Sequence, residues 1–464
     1  MIHTYYSIMR IVIETLKSKI ETDNPKLLKA LRKLYSFKVP GSEFTPSYKN
    51  KRWNGKQDFI SRGGTFRTGL LSSILKDLQK IGCDPKLVYE EEKRVINFHN
   101  REISGFKLYP FQESLVTKAL DLRRGIIKAP TGAGKTLIMA SIIKALHHKK
   151  TIVLFNAKQL LKQTYLFLTE ACDMENIGIC YGEGFEYGDI MLCTVQSIEK
   201  ILDSHLDVAE VLLVDEVHEF SKGKLTLAAI NAFPKAIYRL GFTATPPREP
   251  IPSHALLGAF GPVWEETTTS GLVEEGKLTK PVIQLINRPY TASGEDTSFS
   301  YSEIYDSYIV HNHERNTTIK NIVEEISSTN TQARILILTK SLDHGKTLEG
   351  LLGKTSKFIE GANSLGERYE NISNFRTRNG NSILIGTKIL QTGINIEEIT
   401  HFINARGMKS EIATLQALGR ALRRHATKEK VYIYDFLDKE KYLKDHSLAR
   451  KSYYEEEGHE VKII

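Results

Sequence analysis

Apolar residues are arranged in two different ways along this chain. From about Phe106 onward, short unbroken apolar runs ("GIIKAP", "TIVLF", "IMLCT", "VLLVDE", "YRLGFTA") alternate with helical patterns such as "GKTLIMASIIKALHH" and "AKQLLKQTYLFLTEAC". Continuous rather than alternating runs predict strands buried on both faces, and hence a parallel sheet covered by helices. A second series starts near Arg334 with "RILILT", "NSILIGT", "HFINA" and "KVYIYDF". The pattern predicts an α/β protein with two parallel-sheet units in tandem, joined between about Pro246 and Pro289. The stretch "YTASGEDTSFSYSE" is polar and predicts a surface loop.

The first hundred residues predict a small α+β unit instead. "MRIVIE" alternates as a strand, and its Met9 offers an alternative start. "NPKLLKALRKLYSF" is a helix with Asn24 as its N-cap and Pro25 at the first helical position. "RWNGKQDFI" predicts a hairpin turning at Asn54-Gly55. "TGLLSSILKDLQKIG" is an amphipathic helix stopped by Gly82. The expected division is a basic N-terminal domain over 1–103, a first α/β domain over 104–285 and a second over 286–464.

Composition narrows the class. The 464 residues allow about three domains, and 41% apolar with 26% charged residues argues against long disorder. Arg10 and Glu14 interrupt the first apolar stretch, and no 18-residue apolar run follows. Neither a secretory signal nor a membrane span is expected. Four cysteines without a CxxC pair exclude a zinc or disulfide framework and suit a reducing, cytoplasmic setting. The net charge is +9, and residues 1–108 hold 21 basic against 11 acidic side chains, the whole surplus. A polyanionic partner is therefore expected at that end.

The chemistry begins at "APTGAGKT", Ala129–Thr136, between a predicted strand and a predicted helix. That context is what a phosphate loop requires. Backbone N–H groups around Gly132–Lys135, including those of Ala133 and Gly134, would face phosphates, with Pro130 and Thr131 opening the loop that binds the nucleotide. Lys135 offers a cation to the β/γ oxygens, and Thr136 a hydroxyl to Mg²⁺. Asp215 closes the apolar strand of "VLLVDEVH", so its carboxylate should emerge beside that loop and hold Mg²⁺ through water. Glu216 is placed to take a proton from attacking water. Gln416, Arg420 and Arg423 in "QALGRALRR" are spaced by four and three, one helical face. Arginines of that kind, delivered from a second domain, stabilise charge on a transferring phosphoryl group. The cofactors expected are ATP and Mg²⁺.

With these residues in place, "DEVH" (Asp215–His218) resembles the DExH box of superfamily 2 helicases and translocases. "FTATP" resembles their motif III, where Thr243 and Thr245, with His218, would couple the ATP site to the nucleic acid. "LYPFQ" is similar to the segment in which Gln112 would read adenine. "IGTKILQTGINI" is similar to motif V, with Gly393 and Asn395 toward the nucleotide, and "QALGRALRR" to motif VI. Many relatives end motif V with an aspartate; Asn395 can still bond a ribose hydroxyl but carries no charge. The resemblance implies two tandem RecA-like domains. It also implies strand-end contacts to a nucleic-acid backbone from Asn156 and Lys158, from Thr194 and Gln196, and from Thr387. Thr339 and Lys340 are further candidates by position. Each of these alone serves equally as a cap or a solvated residue.

DEVH, TAT and QALGR differ from the DEAD, SAT and HRxGR pattern of DEAD-box RNA helicases, which favours DNA. In "SYKNKRWNGKQDFISRGGTFRTGLL", Lys49, Lys51, Arg52 and Lys56 lie among Tyr48, Trp53 and Phe59, cations for phosphates beside aromatic faces for bases. Trp53 by itself reads as core. The segment resembles the N-terminal domain of T4- and T5-type phage recombination helicases. That family implies an ATP-dependent motor remodelling branched DNA: Holliday junctions, forks, and D- or R-loops. It would act as a monomer, in the infected host cytoplasm, alongside phage recombination or replication proteins. A DExH RNA helicase and an ATP-switched binding protein without unwinding are the alternatives.

Overall fold

The computed structural model describes residues 9–90, 103–201, 208–221, 223–287, 299–387, 396–426 and 428–464. Its contacts divide the chain into two compact units. One comprises 1–129 with 134–266, the other 130–133 with 267–464.

The first unit holds a small sheet and a large one. In the small sheet, β1 (Met9–Ile13) pairs antiparallel with β2 (Lys17–Thr22), and Ile11 faces Ile20 in register. Two further strands, β3 (Ser36–Lys38) and β4 (Lys56–Asp58), form a separate ribbon, while β5 (Thr65–Arg67) and β6 (Lys86–Tyr89) flank the first pair in the order β5-β2-β1-β6. The helix Pro25–Leu34 starts as expected, with the Asn24 side chain accepting the Leu27 N–H. The hairpin expected at Asn54-Gly55 does not form. Thr45 caps a short helix over Pro46–Lys49, and β4 pairs with β3, twenty residues upstream, rather than with a strand before Asn54. Gly55 still takes a left-handed φ of 72°.

The large sheet follows the apolar runs. Its strands are β7 (Arg124–Lys128), β8 (Thr151–Phe155), β9 (Ile177–Tyr181), β10 (Gly184–Glu186), β11 (Ile190–Thr194), β12 (Val211–Val214), β13 (Tyr238–Thr243) and β14 (Val263–Glu265). The order is β10-β9-β11-β8-β12-β13-β7-β14, parallel except for the edge ribbon β9–β10. Both faces are covered, and strands such as Ile190–Thr194 are buried at every position. Arg239 on β13 is wholly buried with no carboxylate partner. Instead its guanidinium donates to the carbonyls of Ala259 (3.1 Å), Phe233 (3.0 Å) and Ile230. Carbonyls at helix ends carry partial negative charge, which makes this a compensated burial.

The second unit repeats the architecture with β15 (Lys280–Ile286), β16 (Arg334–Leu338), β17 (Ser356–Ile359), β18 (Ser382–Gly386), β19 (His401–Asn404), β20 (Lys430–Phe436) and β21 (Val461–Ile463). These run in the order β17-β18-β16-β19-β20-β15-β21, all parallel. Strand β15 spans the expected boundary at 285/286 and belongs to this sheet. The expected surface loop ends earlier than its polarity suggested. The Ser300 side chain accepts the Glu303 N–H and starts a helix over Tyr301–Tyr305, while 290–298 lie outside the described residues. At the end of β20 the buried Asp435 carboxylate receives Arg450 in bidentate fashion (Nε and Nη2, both 2.9 Å), Tyr454 Oη and Asn404 Nδ2 (2.9 Å each). Burial alone would raise its pKa; Arg450 and these hydrogen bonds bring it below the usual carboxylate range. No helix among the described residues is long and apolar enough to cross a membrane.

Within the first unit, the small sheet docks on the helix Pro250–Phe260 of the large one. Gly69 makes this close approach possible, since a Cβ there would lie 2.1 Å from the Leu257 carbonyl oxygen. Tyr35, Phe37 and Phe59 surround His254 on the same helix, with ring centroids 4.4–5.8 Å away. Gly69→Ala should therefore destabilise the first unit by about 1–3 kcal/mol through overpacking. Calorimetry of the full chain should show its Tm falling by roughly 2–4 °C per kcal/mol. An unchanged Tm would mean the two sheets do not pack this way.

Candidate nucleotide site and strand-end residues

Parallel strands deliver their C-terminal ends to one edge of a sheet. In the first unit that edge carries, in spatial order, the residues after β11, β8, β12, β13 and β7. Thr194 and Gln196 follow β11, Asn156 and Lys158 follow β8, Asp215 and Glu216 follow β12, Thr243 and Thr245 end β13, and Ala129 and Gly134, the two ends of the phosphate loop, follow β7. The sequence separates these residues by more than a hundred positions, and the sheet brings them into one row.

The loop is built as a cradle. Ala129 is wholly buried, and its N–H donates to the Thr243 carbonyl (3.0 Å), tying loop to motif III. Gly132 and Gly134 take left-handed φ values of 89° and 78°. Gly134 is also crowded, because a Cβ there would stand 2.5 Å from Gln112 Nε2. Gln112 is itself buried, with its Oε1 accepting the Tyr109 N–H (2.8 Å). The helix Lys135–Ala145 begins at Gly134, so its first N–H groups point at the loop. Lys135 Nζ donates to the Ala129 carbonyl (3.2 Å), and Thr136 is half-buried in the first helical turn.

The acids beside the loop are only partly satisfied by the protein: Asp215 Oδ1 accepts the Glu216 N–H (3.0 Å). Asp215 is pushed up to about 7 by burial and by the neighbouring Glu216 charge, which Lys135 only partly offsets. Glu216 sits at a left-handed φ of 45°, uncommon for a residue with a Cβ, and its Oε2 is buried without a hydrogen bond. Two adjacent carboxylates in low dielectric, one held in a strained backbone, fit a site that takes a divalent cation between loop and strand. Asp215 and Thr136 have the oxygen chemistry to hold it.

His218 connects this pair to motif III. The ring is buried, with Nδ1 2.8 Å from Thr243 Oγ1 and 3.3 Å from Glu216 Oε2. One ring nitrogen thus faces a hydroxyl and a carboxylate at once. Thr243 Oγ1 also accepts the Thr245 N–H (3.1 Å), so the chain of contacts runs from acid to imidazole to the Thr-Ala-Thr turn.

Two strand-end candidates are already engaged within the protein. Thr194 is buried with its hydroxyl 3.3 Å from Ser197 Oγ. Lys158 is exposed and lies over the Tyr181 ring at 4.6 Å, joined there by Lys162 at 5.4 Å. Gln196 is exposed and Asn156 half-buried.

In the second unit, Thr339 and Lys340 follow β16 and Thr387 follows β18, its hydrogen-bonded neighbour. Thr339 is wholly buried and donates to the Ser341 carbonyl (3.2 Å), so it acts as a local turn former. Lys340 is exposed and rests on the rings of Tyr305 (4.3 Å) and Tyr301 (5.1 Å). That aromatic support was not anticipated, although Ser300-x-x-Glu303 ahead of it is a readable capping signal. Gly393 and Asn395 lie outside the described residues.

The helix Glu411–Ala421 carries Gln416 and Arg420, both half-buried. Arg423 stands two residues past the helix end, its N–H still donating to the Arg420 carbonyl (3.3 Å). Two buried cations fix this helix. Arg406 Nε donates to Asn404 Oδ1 (2.8 Å) and its Nη1 to the Ala413 carbonyl (3.3 Å) at the helix start. At the other end, Lys428 Nζ donates to the Ala421 carbonyl (3.0 Å). Neither residue stood out in the sequence, because a lone basic residue gives no sign of which carbonyl it will meet.

In the N-terminal sheet region, Lys49, Lys51, Arg52 and Lys56 are exposed. Trp53 is only half-buried and lines an open cavity with Tyr48, contrary to its expected place in the core. Its indole is held at the surface by the hydrogen bond from Nε1 to the Lys56 carbonyl (2.8 Å).

Residues 105–248 match the family model described as the res subunit of type III restriction enzymes, and 316–425 match the helicase conserved C-terminal domain. The chain is 24% identical over 439 residues to the ATP-dependent DNA helicase uvsW of Enterobacteria phage T4, covering 88% of this chain and 86% of that protein. It is 22% identical over 381 residues to the DNA 3'-5' helicase XPB of Kineococcus radiotolerans, covering 78% and 65% respectively. Among solved structures, S. cerevisiae Dbp5 bound to RNA and ADP BeF3 aligns with a TM-score of 0.54 at 15% identity. That alignment covers 77% of this chain and 90% of Dbp5, a likeness of fold alone.

The raised Asp215 makes a pH prediction. A carboxyl whose folded pKa exceeds its unfolded value imposes no penalty below about pH 4, where both states are protonated. The penalty grows as pH rises toward 7 and is complete above it. Asp215→Asn should therefore raise the Tm of the nucleotide-free protein at about pH 8, with the gain shrinking toward zero near pH 4. A gain independent of pH, or a loss at about pH 8, would contradict the unsatisfied-acid geometry.

Proposed function

This chain belongs to the superfamily 2 helicases, and from that premise we propose that it is an ATP-driven motor that remodels branched DNA. Holliday junctions, regressing forks, and D- or R-loops are its substrate class. The contact of His218 with both Glu216 and Thr243 carries the reading. It makes the state of the hydrolytic acid mechanically available to a strand end on the row that also holds Asn156 and Lys158.

In this reading Lys135 and the loop N–H groups hold the phosphates, and Gln112 reads the base. Thr136 and Asp215 would hold Mg²⁺, which when bound would supply neutralisation of the developing phosphate charge. Glu216 accepts a proton from the attacking water through Oε2, the oxygen left without a hydrogen bond. Gln416, Arg420 and Arg423 bring donors and positive charge from the second unit, and Gly393 and Asn395 serve the ribose. Thr243, Thr245 and His218 transmit hydrolysis to Asn156, Lys158, Thr194, Gln196, Thr339, Lys340 and Thr387 along the strand. The basic N-terminal part, residues 1–103, grips DNA while the two α/β parts move it. Most of the net charge of +9 lies in that part, as phosphate binding requires.

The DNA assignment is supported by the similarity to the phage and XPB relatives, which are DNA helicases, and by the DEVH, TAT and QALGR motifs. Host-cytoplasmic work beside phage recombination proteins belongs to the same reading.

Two measurements test it. Lys135→Ala and Glu216→Gln should each abolish ATP turnover while retaining DNA binding, and Arg420→Ala should slow turnover by about 10³–10⁵-fold. Near-normal hydrolysis in any of the three would remove that residue from the site. A panel of single-stranded, duplex, forked, four-way and RNA-hybrid substrates should give the fastest unwinding and ATPase stimulation on forked and four-way DNA. Preferential stimulation by RNA, or binding without unwinding, would replace the reading.

A further inference from the structure

The cavity beside Trp53 lies away from the nucleotide loop, in the N-terminal part of the chain. It measures about 570 Å³ and is walled by Tyr48, Trp53 and Asn54, with Lys49, Lys51 and Arg52 at its margin and Glu43 as its single acid. That volume falls within the range of about 300–1,000 Å³ over which pockets enclose small organic ligands.

The wall is held rigid by its own backbone. After the helix Pro46–Lys49 the chain closes on itself, with the N–H groups of Arg52 and Trp53 both donating to the Ser47 carbonyl (2.9 and 3.1 Å). Lys51 takes a left-handed φ of 55° to make that closure. Trp53 Nε1 donates to the Lys56 carbonyl (2.8 Å), which fixes the indole. Tyr48 lies so close to Gly55 that a Cβ there would stand 2.9 Å from its ring. Two aromatic rings are therefore immobilised before any ligand arrives, which lowers the entropy cost of binding.

Charge and hydrogen bonding define what fits. Glu43 stands 3.4 Å from Lys38 Nζ and is neutralised there. Lys49, Lys51 and Arg52 have no carboxylate partner among the described residues. Asn54 Oδ1 accepts the Lys56 N–H (3.0 Å), leaving its amide group to donate. Fixed aromatic faces, three uncompensated cations and an amide donor match a base flanked by phosphates. A stacked duplex offers phosphates but hides its base faces, so the rings would be idle against it.

We propose that this cavity captures one unpaired nucleotide of DNA, its base against Tyr48 and Trp53 and its flanking phosphates on Lys49, Lys51 and Arg52. The inference rests on the reading above only in taking DNA as the polymer. It makes the N-terminal part a detector of unpaired bases where strands separate.

The chain has two tryptophans, and the other, Trp264, is buried. A buried indole still emits but is shielded from contact with a base, so a base-dependent fall in the emission of the full-length protein reports on Trp53. Oligo-dT and a duplex carrying a single-nucleotide bulge should quench it at saturation; a blunt duplex of the same length and the mononucleotide dTMP should not. Tyr48→Ala should weaken binding of the bulged duplex by about 5- to 150-fold, the equivalent of one lost base–aromatic stack, with a smaller loss on the blunt duplex. The pocket is refuted by equal quenching from blunt duplex, by no quenching from oligo-dT, or by saturable quenching from dTMP alone. DNA-stimulated ATP hydrolysis of the same wild-type preparation separates the two readings. Stimulation without quenching removes the pocket alone, and quenching without stimulation removes the motor alone.

Discussion

Parallel pairing of β7, β13, β12, β8 and β11 is the constraint on which the rest depends. Parallel strands need crossover helices, and those helices bury both faces of the sheet. The faces then offer no room for chemistry, and every polar residue with a task is driven to the strand ends. The Ala129 N–H to Thr243 carbonyl bond closes this row where the phosphate loop meets motif III. A similar logic operates in the second unit, where Arg406 and Lys428 clamp the two ends of the helix bearing Gln416 and Arg420.

Two carboxylates at strand ends have opposite fates. Asp435 is surrounded by Arg450, Tyr454 and Asn404, and its charge is stabilised inside the protein. It holds β20 to the helix Leu443–Glu456 and needs no ligand. Asp215 faces another carboxylate, Glu216, and is raised toward neutral pH. The same residue type thus serves structure in one unit, wholly buried, and is left for a cation in the other, half-buried beside the loop. The charged partners around each decide this.

The first unit combines two kinds of packing. Its large sheet has a core that the continuous apolar runs announce. The small sheet is held to it by close backbone approach at Gly69 and by aromatic contacts around His254. Leu257 on the docking helix packs into the core of the small sheet. The basic face that carries the cavity is thereby attached to the large sheet through apolar contacts, with Lys49, Lys51 and Arg52 left to solvent.

The sequence by itself determined the strands, their parallel pairing under covering helices, and the loop, acid and arginine motifs. These depend on local patterns: continuous apolar runs, a Gly-rich turn between strand and helix, and charged residues at strand ends. Asn24, Pro25 and Gly82 marked helix ends because capping is also local. What tertiary structure alone decided depends on contacts between distant residues. Asn54-Gly55 carries a turn signal, yet β4 found its partner in β3, across the 17 residues from Val39 to Gly55. The helix bearing Gln416 and Arg420 stops short of Arg423, at Leu422, whose carbonyl accepts the Thr279 N–H (2.7 Å). The bond of His218 to Thr243, the seat of Lys340 on two tyrosines and the cavity at Trp53 have no local signature. Each joins side chains whose approach is set by sheet order and loop closure, which no window of sequence contains.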